Sequence, residues 1–211
     1  MGKNNVVLPF TYINGPVQIG DNNVIGPNVV IGTPGQDTRN PRYDCSDKMI
    51  RIGNDNIIRE FTAIQKPAYE QITAIGDRVF LMQSVHIPHD AIVEDDVVIT
   101  PMTVLAGITR ILRGANLGMG STINQRNVIG QYSIVATGAS AMKKVPPFSR
   151  FIPGQPLSVN HYAVKKFGFA EFTDEITRYV LEGIAPTADE IVAVVEHFER
   201  LAAQSPLETY R

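Results

Sequence analysis

A six-residue apolar period constrains the fold of this chain more than any other feature. Between residues 75 and 141 every sixth residue is apolar, and the series is Ile75, Leu81, Ile87, Val93, Ile99, Leu105, Ile111, Leu117, Ile123, Ile129, Val135 and Ala141. At an apolar content of 44%, such a series would arise by chance about once in 20,000 tries, so it is a repeat. A period of six fits neither an α-helix nor an ordinary strand. It predicts a mainly β chain wound into a parallel β-helix of hexapeptide repeats.

The repeat begins near the N-terminus and is interrupted twice. Apolar residues six apart also occupy positions 7 to 31 and positions 52 to 64. The interruptions, around residues 33–41 and 66–70, are predicted to be loops. Loops of a solenoid often lie on its functional face, although both could be tolerated surface insertions. Three hexapeptides form one triangular turn of 18 residues, so the in-phase positions predict between six and seven turns.

The periodicity changes after residue 147. Helices are predicted at about residues 159–167 and 173–182, and a third is predicted to open with a capping box of Thr187 and Glu190. We therefore divide the chain into a β-helix domain, residues 1–147, and a C-terminal helical region, residues 148–211, packed against the base of the prism. A three-sided prism with flat faces has few deep pockets of its own, which favours a homotrimer with sites between subunits.

Composition restricts the classes of function. The net charge is −2, so a general nucleic-acid role finds no support. No apolar run approaches the ~20 residues of a membrane span, and the N-terminus lacks the apolar core of a signal peptide. Cys45 is the one cysteine, so a disulfide framework is not expected. We expect a cytoplasmic protein without membrane insertion.

An unusual polar run, His86-Ile-Pro-His89-Asp90, interrupts the repeat. Neither histidine falls on the inward apolar position, so both are predicted to project outward or to lie at a corner. Histidine is the usual general base near neutral pH, and Asp90 could orient its ring. Two ordinary surface histidines beside a solvated aspartate are the alternative. A metal site is not predicted, because no further Cys or His lies nearby in the chain.

The 18-residue turn places Gly107 one turn above His89, about 4.8 Å away, and Gln125 another turn above it. A glycine leaves its backbone N–H accessible for the oxyanion of an acyl-transfer reaction. Basic residues form a second group, because Lys165 and Lys166 follow Asn160. Asp37 and Arg39 lie together in the first predicted loop. Such residues suit a diphosphate and a sugar, although paired lysines are often only solvated.

These motifs resemble those of the UDP-N-acetylglucosamine O-acyltransferase (LpxA-like) family, within the hexapeptide-repeat acyltransferase superfamily. The matching runs are Gly35-Gln36-Asp37, residues 55–60, Leu81-Met82, residues 86–90, Leu105-Ala106-Gly107, Val145-Pro146-Pro147 and residues 160–169. The resemblance implies a left-handed parallel β-helix homotrimer with active sites between subunits. It also implies transfer of an acyl group from acyl carrier protein to the 3-position of a UDP-linked amino sugar, as in lipid A synthesis, without a permanently bound cofactor.

The resemblance also implies residue roles. It makes His89 the general base, Asp90 its supporting acid and Gly107 the oxyanion donor. Contacts with substrate, nucleotide or acyl donor fall on His86, Asp37, Arg39, Gln125, Asn160 and Lys166. Thr137 occupies the position that limits acyl length, and its bulk fits a short or medium chain.

Several departures from the family pattern leave the substrate open. Ile108 and Asn124 replace two family histidines, Phe167 replaces the second of two adjacent cations, and the chain begins about two turns late. These changes leave a second function open, namely that of an N-acetyltransferase that uses acetyl-CoA on a nucleotide-linked amino sugar. A binding or scaffold protein without turnover is a third possibility, against which the histidines, Gly107 and the two loops argue.

Overall fold

The computed structural model describes residues 1–37 and 47–210. Its strands are short and follow the repeat: β1 (Val6–Val7), β2 (Tyr12–Ile13), β3 (Val17–Ile19), β4 (Val24–Ile25), β5 (Val30–Thr33), β6 (Met49–Ile52), β7 (Ile57–Ile58), β8 (Ala63–Gln65), β9 (Ile72–Ile75), β10 (Phe80–Leu81), β11 (His86–Ile87), β12 (Ile92–Val93), β13 (Val98–Ile99), β14 (Val104–Leu105), β15 (Arg110–Ile111), β16 (Asn116–Leu117), β17 (Thr122–Ile123), β18 (Val128–Ile129), β19 (Ile134–Val135), β20 (Ser140–Ala141), β21 (Ser149–Phe151) and β22 (Ser158–Val159). The helices are α1 (His161–Lys166), α2 (Thr173–Glu182) and α3 (Asp189–Ala202).

The strands stack into the three faces of a prism. Sheet A contains β1, β4, β7, β10, β13, β16, β19, β21 and β22; sheet B contains β2, β5, β8, β11, β14, β17 and β20; sheet C contains β3, β6, β9, β12, β15 and β18. Parallel pairing joins residues one turn apart, for example His86 with Val104 and Val104 with Thr122. The architecture is a left-handed parallel β-helix with small C-terminal helices, which confirms the predicted fold.

The core is the column of inward apolar residues. Ile58, Ile64, Leu81 and Ile87 are fully buried, and from β4 onward the strands of two residues contribute inward side chains of this kind, whereas β1 and β2 at the N-terminal end are exposed. Burying an aliphatic side chain of this size stabilises the fold by about 1.5–3 kcal/mol. The period of six is therefore the spacing at which the chain returns to the axis of the prism.

Left-handed corners complete each turn. The third residue after an inward position has a positive φ, as at Phe61 (+60°), Asp90 (+62°), Ile108 (+63°) and Arg126 (+61°). Glycine has a different role one residue after the inward position. A Cβ on Gly26 would lie 2.9 Å from the backbone N of Glu60 in the next turn, so these glycines allow close stacking of turns.

The C-terminal region extends the prism and covers one side of it. Strand β21 pairs with β19 and continues sheet A beyond residue 147, where the sequence analysis placed a domain boundary; that division stays a prediction. Helix α3 packs Phe198 and Ala202 against Leu112 and Val128 of sheet C. The helices therefore lie partly along a side face and not only at the base of the prism. None of the helices within the described residues is both long and apolar enough to cross a membrane.

The predicted capping box at the third helix is wrong. Ala188 is the N-cap of α3, and no side chain caps the helix there. The backbone N–H groups of Thr187 and Ala188 instead donate to Glu175 of α2. A carboxylate from the neighbouring helix has replaced the local cap, and this draws down the pKa of Glu175 mainly through the hydrogen bond from Thr187.

Candidate active site

The second loop, which joins β8 to β9, holds the carboxylate of Asp90. Asp90 is fully buried, and its carboxylate accepts hydrogen bonds from the backbone N–H groups of Ala68 (3.0 Å), Tyr69 (3.1 Å) and Glu70 (2.8 Å). It also lies 2.7 Å from Nδ1 of His89. A carboxylate only accepts hydrogen bonds, so four converging donors suit its charged form. The loop and the histidine therefore meet at one side chain.

The backbone of Asp90 is fixed as firmly as its side chain. Its N–H donates to Oγ1 of Thr73 at 3.0 Å, and its carbonyl accepts a hydrogen bond from Nη1 of Arg110 at 2.7 Å. The pKa of Arg110 is lowered by burial, which Glu70 and Asp90 partly oppose. Arg110 thus braces the corner of the prism that carries the acid.

Asp90 in turn sets the orientation of His89. Because the carboxylate accepts from Nδ1–H, the neutral imidazole has its free lone pair on Nε2. The edge of the ring that carries Nε2 faces Gly107, since a Cβ built on Gly107 would lie 2.5 Å from that nitrogen. Tyr69 packs edge-on against the imidazole, with ring centroids 5.8 Å apart. His89 is only 5% exposed, so its ring has little freedom to move.

Gly107 presents an open backbone N–H above His89. At another corner of the prism the equivalent N–H groups are capped by side chains of the next turn, as Asp77 is capped by Asp95 at 2.9 Å. One turn above Gly107, the N–H of Gln125 bonds Oδ1 of Asn124 at 2.9 Å. Within the described part of the chain, the N–H of Gly107 has no such acceptor. This donor is therefore available to a ligand.

These groups line a cavity of about 470 Å³ on sheet B. It brings together five of the residues selected from the sequence, namely Asp37, His86, His89, Gly107 and Gln125. His86 is half-buried on the wall of the cavity, and burial lowers its pKa, with a further contribution from the positive charge that His89 can acquire. His86 is therefore neutral near pH 7.

Other predicted site residues lie elsewhere on the subunit. Asn160 is buried as the N-cap of α1, where its Nδ2 donates to the carbonyl of Tyr132 at 2.8 Å. Lys166 is exposed at the end of α1, with its ammonium 5.0 Å from the ring centroid of Phe167. Thr137 is exposed at the turn between sheets A and B. Arg39 is outside the described residues. The binding roles of these four residues stay predictions.

Sequence reasoning missed several parts of the cavity. Gln36, Gln65, Val104 and Arg126 also line it, and the N–H groups of the second loop were not foreseen. Arg126 had a signal, because it follows Gln125 and falls on the left-handed corner position of the repeat. The N–H groups of the second loop had no such signal, because every residue except proline has a backbone N–H and the residue types do not show where it points. Among the residues that the structure describes, no group of three His, Cys, Asp or Glu side chains could hold a metal ion.

The prism, the hexapeptide register and this cavity define a hexapeptide-repeat protein of the left-handed β-helix class. A family model described as bacterial transferase hexapeptide (six repeats) matches residues 1–33. A curated acyl-[acyl-carrier-protein]–UDP-N-acetylglucosamine O-acyltransferase from Synechocystis sp. is 34% identical over 148 residues, which is 70% of this chain and 52% of the relative. The enzyme of the same name from Gloeothece citriformis is 33% identical over 163 residues, or 75% of this chain and 58% of the relative.

Solved structures agree in fold over the whole chain. The UDP-N-acetylglucosamine acyltransferase of Francisella novicida aligns with a TM-score of 0.86 and 25% identity, covering 100% of this chain and 83% of that one. The Bacteroides fragilis enzyme aligns with a TM-score of 0.83 and 24% identity, covering 100% and 94%. The chain belongs to the UDP-N-acetylglucosamine O-acyltransferase (LpxA-like) family. It spans little more than half the length of the two curated relatives described above.

Proposed function

We propose that this protein transfers an acyl group from the thioester of acyl carrier protein to the 3-hydroxyl of a UDP-linked N-acetylamino sugar. The observation that carries the proposal is the alignment of three groups, of which His89 and Gly107 line the cavity and Asp90 lies buried behind His89. The buried Asp90 orients His89, the Nε2 edge of His89 faces Gly107, and the N–H of Gly107 has no acceptor among the described residues. Acyl transfer needs a base for the nucleophile and, close to it, a hydrogen-bond donor for the oxyanion.

The first step is attack by the sugar hydroxyl. Nε2 of His89 accepts the proton of the 3-hydroxyl while the hydroxyl oxygen bonds the thioester carbonyl carbon. The imidazole becomes positively charged, and the carboxylate of Asp90, 2.7 Å from Nδ1, stabilises that charge. The loop N–H groups keep this carboxylate in place.

The second step is collapse of the tetrahedral intermediate. The carbonyl oxygen carries the negative charge and accepts a hydrogen bond from the N–H of Gly107. The carbon–sulfur bond then breaks, His89 returns its proton to the leaving thiolate, and the products are the acylated sugar nucleotide and the free thiol of the carrier. The acyl group travels on the donor throughout, so the scheme uses no permanently bound cofactor.

The relatives support the choice of donor and acceptor. Their names give acyl-[acyl-carrier-protein] as donor and UDP-N-acetylglucosamine as acceptor. In the proposed complex, His86, Asp37 and Gln125 contact the acceptor from the walls of the cavity. Arg39, in the same loop as Asp37, contributes to that contact.

A homotrimer would complete the site. Thr137 lies on the edge between sheets A and B, whereas His89 lies on the edge between sheets B and C. A threefold ring of prisms places the first edge of each subunit beside the second edge of its neighbour. The edge that carries Thr137 also exposes Phe10 (84%), Phe61 (56%) and Met102 (66%), and such a row of large apolar side chains suits burial in an interface.

The same arrangement assigns the residues that lie outside the cavity of their own subunit. Thr137 of a neighbouring subunit limits the length of the acyl chain bound along the shared groove. Lys166, on the exposed end of α1, contacts the nucleotide across the interface. Asn160 positions α1 through its cap, and so places Lys166.

The proposal is tested by offering two donors and two classes of acceptor to the purified protein. Acyl carrier protein loaded with acyl chains of graded length and acetyl-CoA are each combined with UDP-N-acetylglucosamine and with a UDP-linked sugar that bears a free amine. Mass spectrometry of the nucleotide products should find O-acylation from the carrier protein. Acetylation of the amine from acetyl-CoA, with no O-acylation, would replace the proposal by the N-acetyltransferase alternative.

A further inference from the structure

Arg126 occupies a position at the catalytic cavity to which no function has yet been given. It follows Gln125, and both residues line the cavity together with His89 and Gly107. Its backbone N–H donates to the carbonyl of Gly107 at 3.0 Å, and its φ is +61°. The Cα of Arg126 is thereby fixed in the turn directly above the oxyanion donor, about 4.8 Å along the prism axis.

Among the described residues, the guanidinium of Arg126 has no partner, unlike those of several other arginines along this β-helix. Arg59, Arg78 and Arg113 are held in ion pairs with carboxylates, and Arg110 bonds the carbonyl of Asp90. For Arg126, the described parts of the chain supply neither an ion pair nor a side-chain hydrogen bond. Its side chain is exposed, so the charge faces the open cavity.

The charge distribution inside the cavity favours an anionic ligand near Arg126. Arg126 carries the permanent positive charge among the described lining residues, and Asp37 is the lining carboxylate, on the first loop. Asp37 belongs to the turns below His89, whereas Arg126 lies about two turns above His89, or roughly 10 Å. Arginine binds phosphoryl oxygens through two parallel N–H groups, which makes a phosphate the ligand that this position suits best.

We propose that Arg126 binds the diphosphate of the sugar nucleotide and thereby selects a nucleotide-linked acceptor. The inference rests on the proposed function, which places the reacting hydroxyl at His89. The diphosphate is attached to the same sugar ring, two carbons from the reacting 3-position, so it stays close to His89. The phosphate of the donor lies at the far end of the long pantetheine arm, which places it away from the thioester.

Binding measurements test this inference without relying on turnover. Isothermal titration calorimetry compares UDP, uridine and coenzyme A on the wild type, Arg126→Gln, Arg126→Lys and the matched control Arg51→Gln, which removes an exposed arginine from sheet C of the same prism. Loss of charge-assisted hydrogen bonds should weaken UDP binding by Arg126→Gln by roughly 10-fold or more. Uridine should bind the wild type and Arg126→Gln equally, Arg126→Lys should fall between them for UDP, and Arg51→Gln should match the wild type.

Three outcomes would overturn the inference. The first is equal UDP affinity of the wild type and Arg126→Gln, which includes the case in which neither binds UDP. The second is an equal loss of uridine binding, which would indicate a general change in the cavity. The third is a loss confined to coenzyme A, which would assign Arg126 to the donor. If UDP binding depends on Arg126 but no donor supports acylation, the proposed acyl transfer fails and the diphosphate contact stands.

Discussion

Gly107 shows how one residue ties the fold to the chemistry. Its φ lies outside the left-handed region, so alanine is acceptable to the backbone, but a Cβ would lie 2.5 Å from Nε2 of His89. The imidazole would have to leave its place above Asp90. We predict that Gly107→Ala lowers kcat by at least about 100-fold, since it disturbs the base and the oxyanion donor together.

Steady-state kinetics measure that effect, and the melting temperature provides the control. The added Cβ meets the ring of His89 and not the apolar column of the core, so the variant should still unfold cooperatively, at a melting temperature lowered by the displacement of that ring. A variant with near-normal kcat would show that the ring of His89 does not need the position seen here.

His86 predicts a pH dependence of stability. Burial, together with the neighbouring His89, lowers the pKa of His86 below its ordinary value of 6.5. As the pH falls through 6.5, the unfolded chain takes up a proton that the folded protein resists. The stability provided by neutral His86 is therefore complete above pH 6.5 and is lost as the pH falls further.

Urea unfolding measures this contribution. Between about pH 7 and about pH 5, the free energy of unfolding of His86→Gln should fall less than that of the wild type, because the variant lacks the linked proton. Parallel losses in the two proteins would place the acid sensitivity at other groups.

At the scale of elements, the second loop acts as a brace for the catalytic pair. The N–H of Tyr69 lies within hydrogen-bonding distance of both carboxylate oxygens of Asp90, at 3.1 and 3.2 Å. Tyr69→Pro removes that donor, whereas Tyr69→Ala keeps it and removes only the ring. We predict that Tyr69→Pro lowers kcat roughly 10-fold or more below Tyr69→Ala, with a smaller change in KM.

The comparison between the two variants is the test. Both lose the contact of the aromatic ring with His89, so a difference in kcat reports the loss of the backbone donor together with the fixed φ of proline. Equal kcat values for Tyr69→Pro and Tyr69→Ala would show that the N–H of Tyr69 is not needed to hold the carboxylate of Asp90 for catalysis.

The strands could be predicted from the sequence, whereas the cap of α3 and the loop contacts could not. The strands followed from the inward residues, because each turn of the prism returns one side chain to the axis. The cap of α3 did not, since Glu175 of another helix replaced Glu190 as the partner of the N–H groups. The brace on Asp90 was equally hidden, because converging backbone donors depend on the path of a loop and not on its residue types.

The candidate site was predicted in part, because some of its residues follow the repeat and others lie outside it. The spacing of 18 residues correctly placed His89, Gly107 and Gln125 along one corner, because the register of a parallel β-helix is uniform. Loop contacts lie off that repeat, whereas Arg126 falls on a corner position of the repeat that the spacing alone did not single out. Thr137 and Lys166 lie outside the cavity of their own subunit, so the chain alone does not bring them to it.

At the scale of the whole molecule, the exposed apolar edge between sheets A and B is the proposed contact between subunits. We predict that Phe61→Glu, which places a charge in that edge, dissociates the trimer and lowers activity, while far-UV circular dichroism retains the β-helix signal. Leu181→Glu is the matched control, because Leu181 has the same 56% exposure as Phe61 but lies on α2.

Analytical ultracentrifugation measures the assembly. The control should sediment as the wild type does, and Phe61→Glu should sediment as a monomer. A wild type that is monomeric at assay concentration and fully active would contradict the shared site. So would a trimer unaffected by Phe61→Glu, since that edge would then face solvent.

The central claim is that His89 takes the proton of the sugar hydroxyl. It is tested most directly by the rate of O-acylation of UDP-N-acetylglucosamine from acyl carrier protein, compared between the wild type and a folded His89→Ala variant. The account predicts product from the wild type and a rate lowered by about 10²–10⁴-fold in the variant, as is typical of a lost general base. Undiminished product formation by His89→Ala would contradict it.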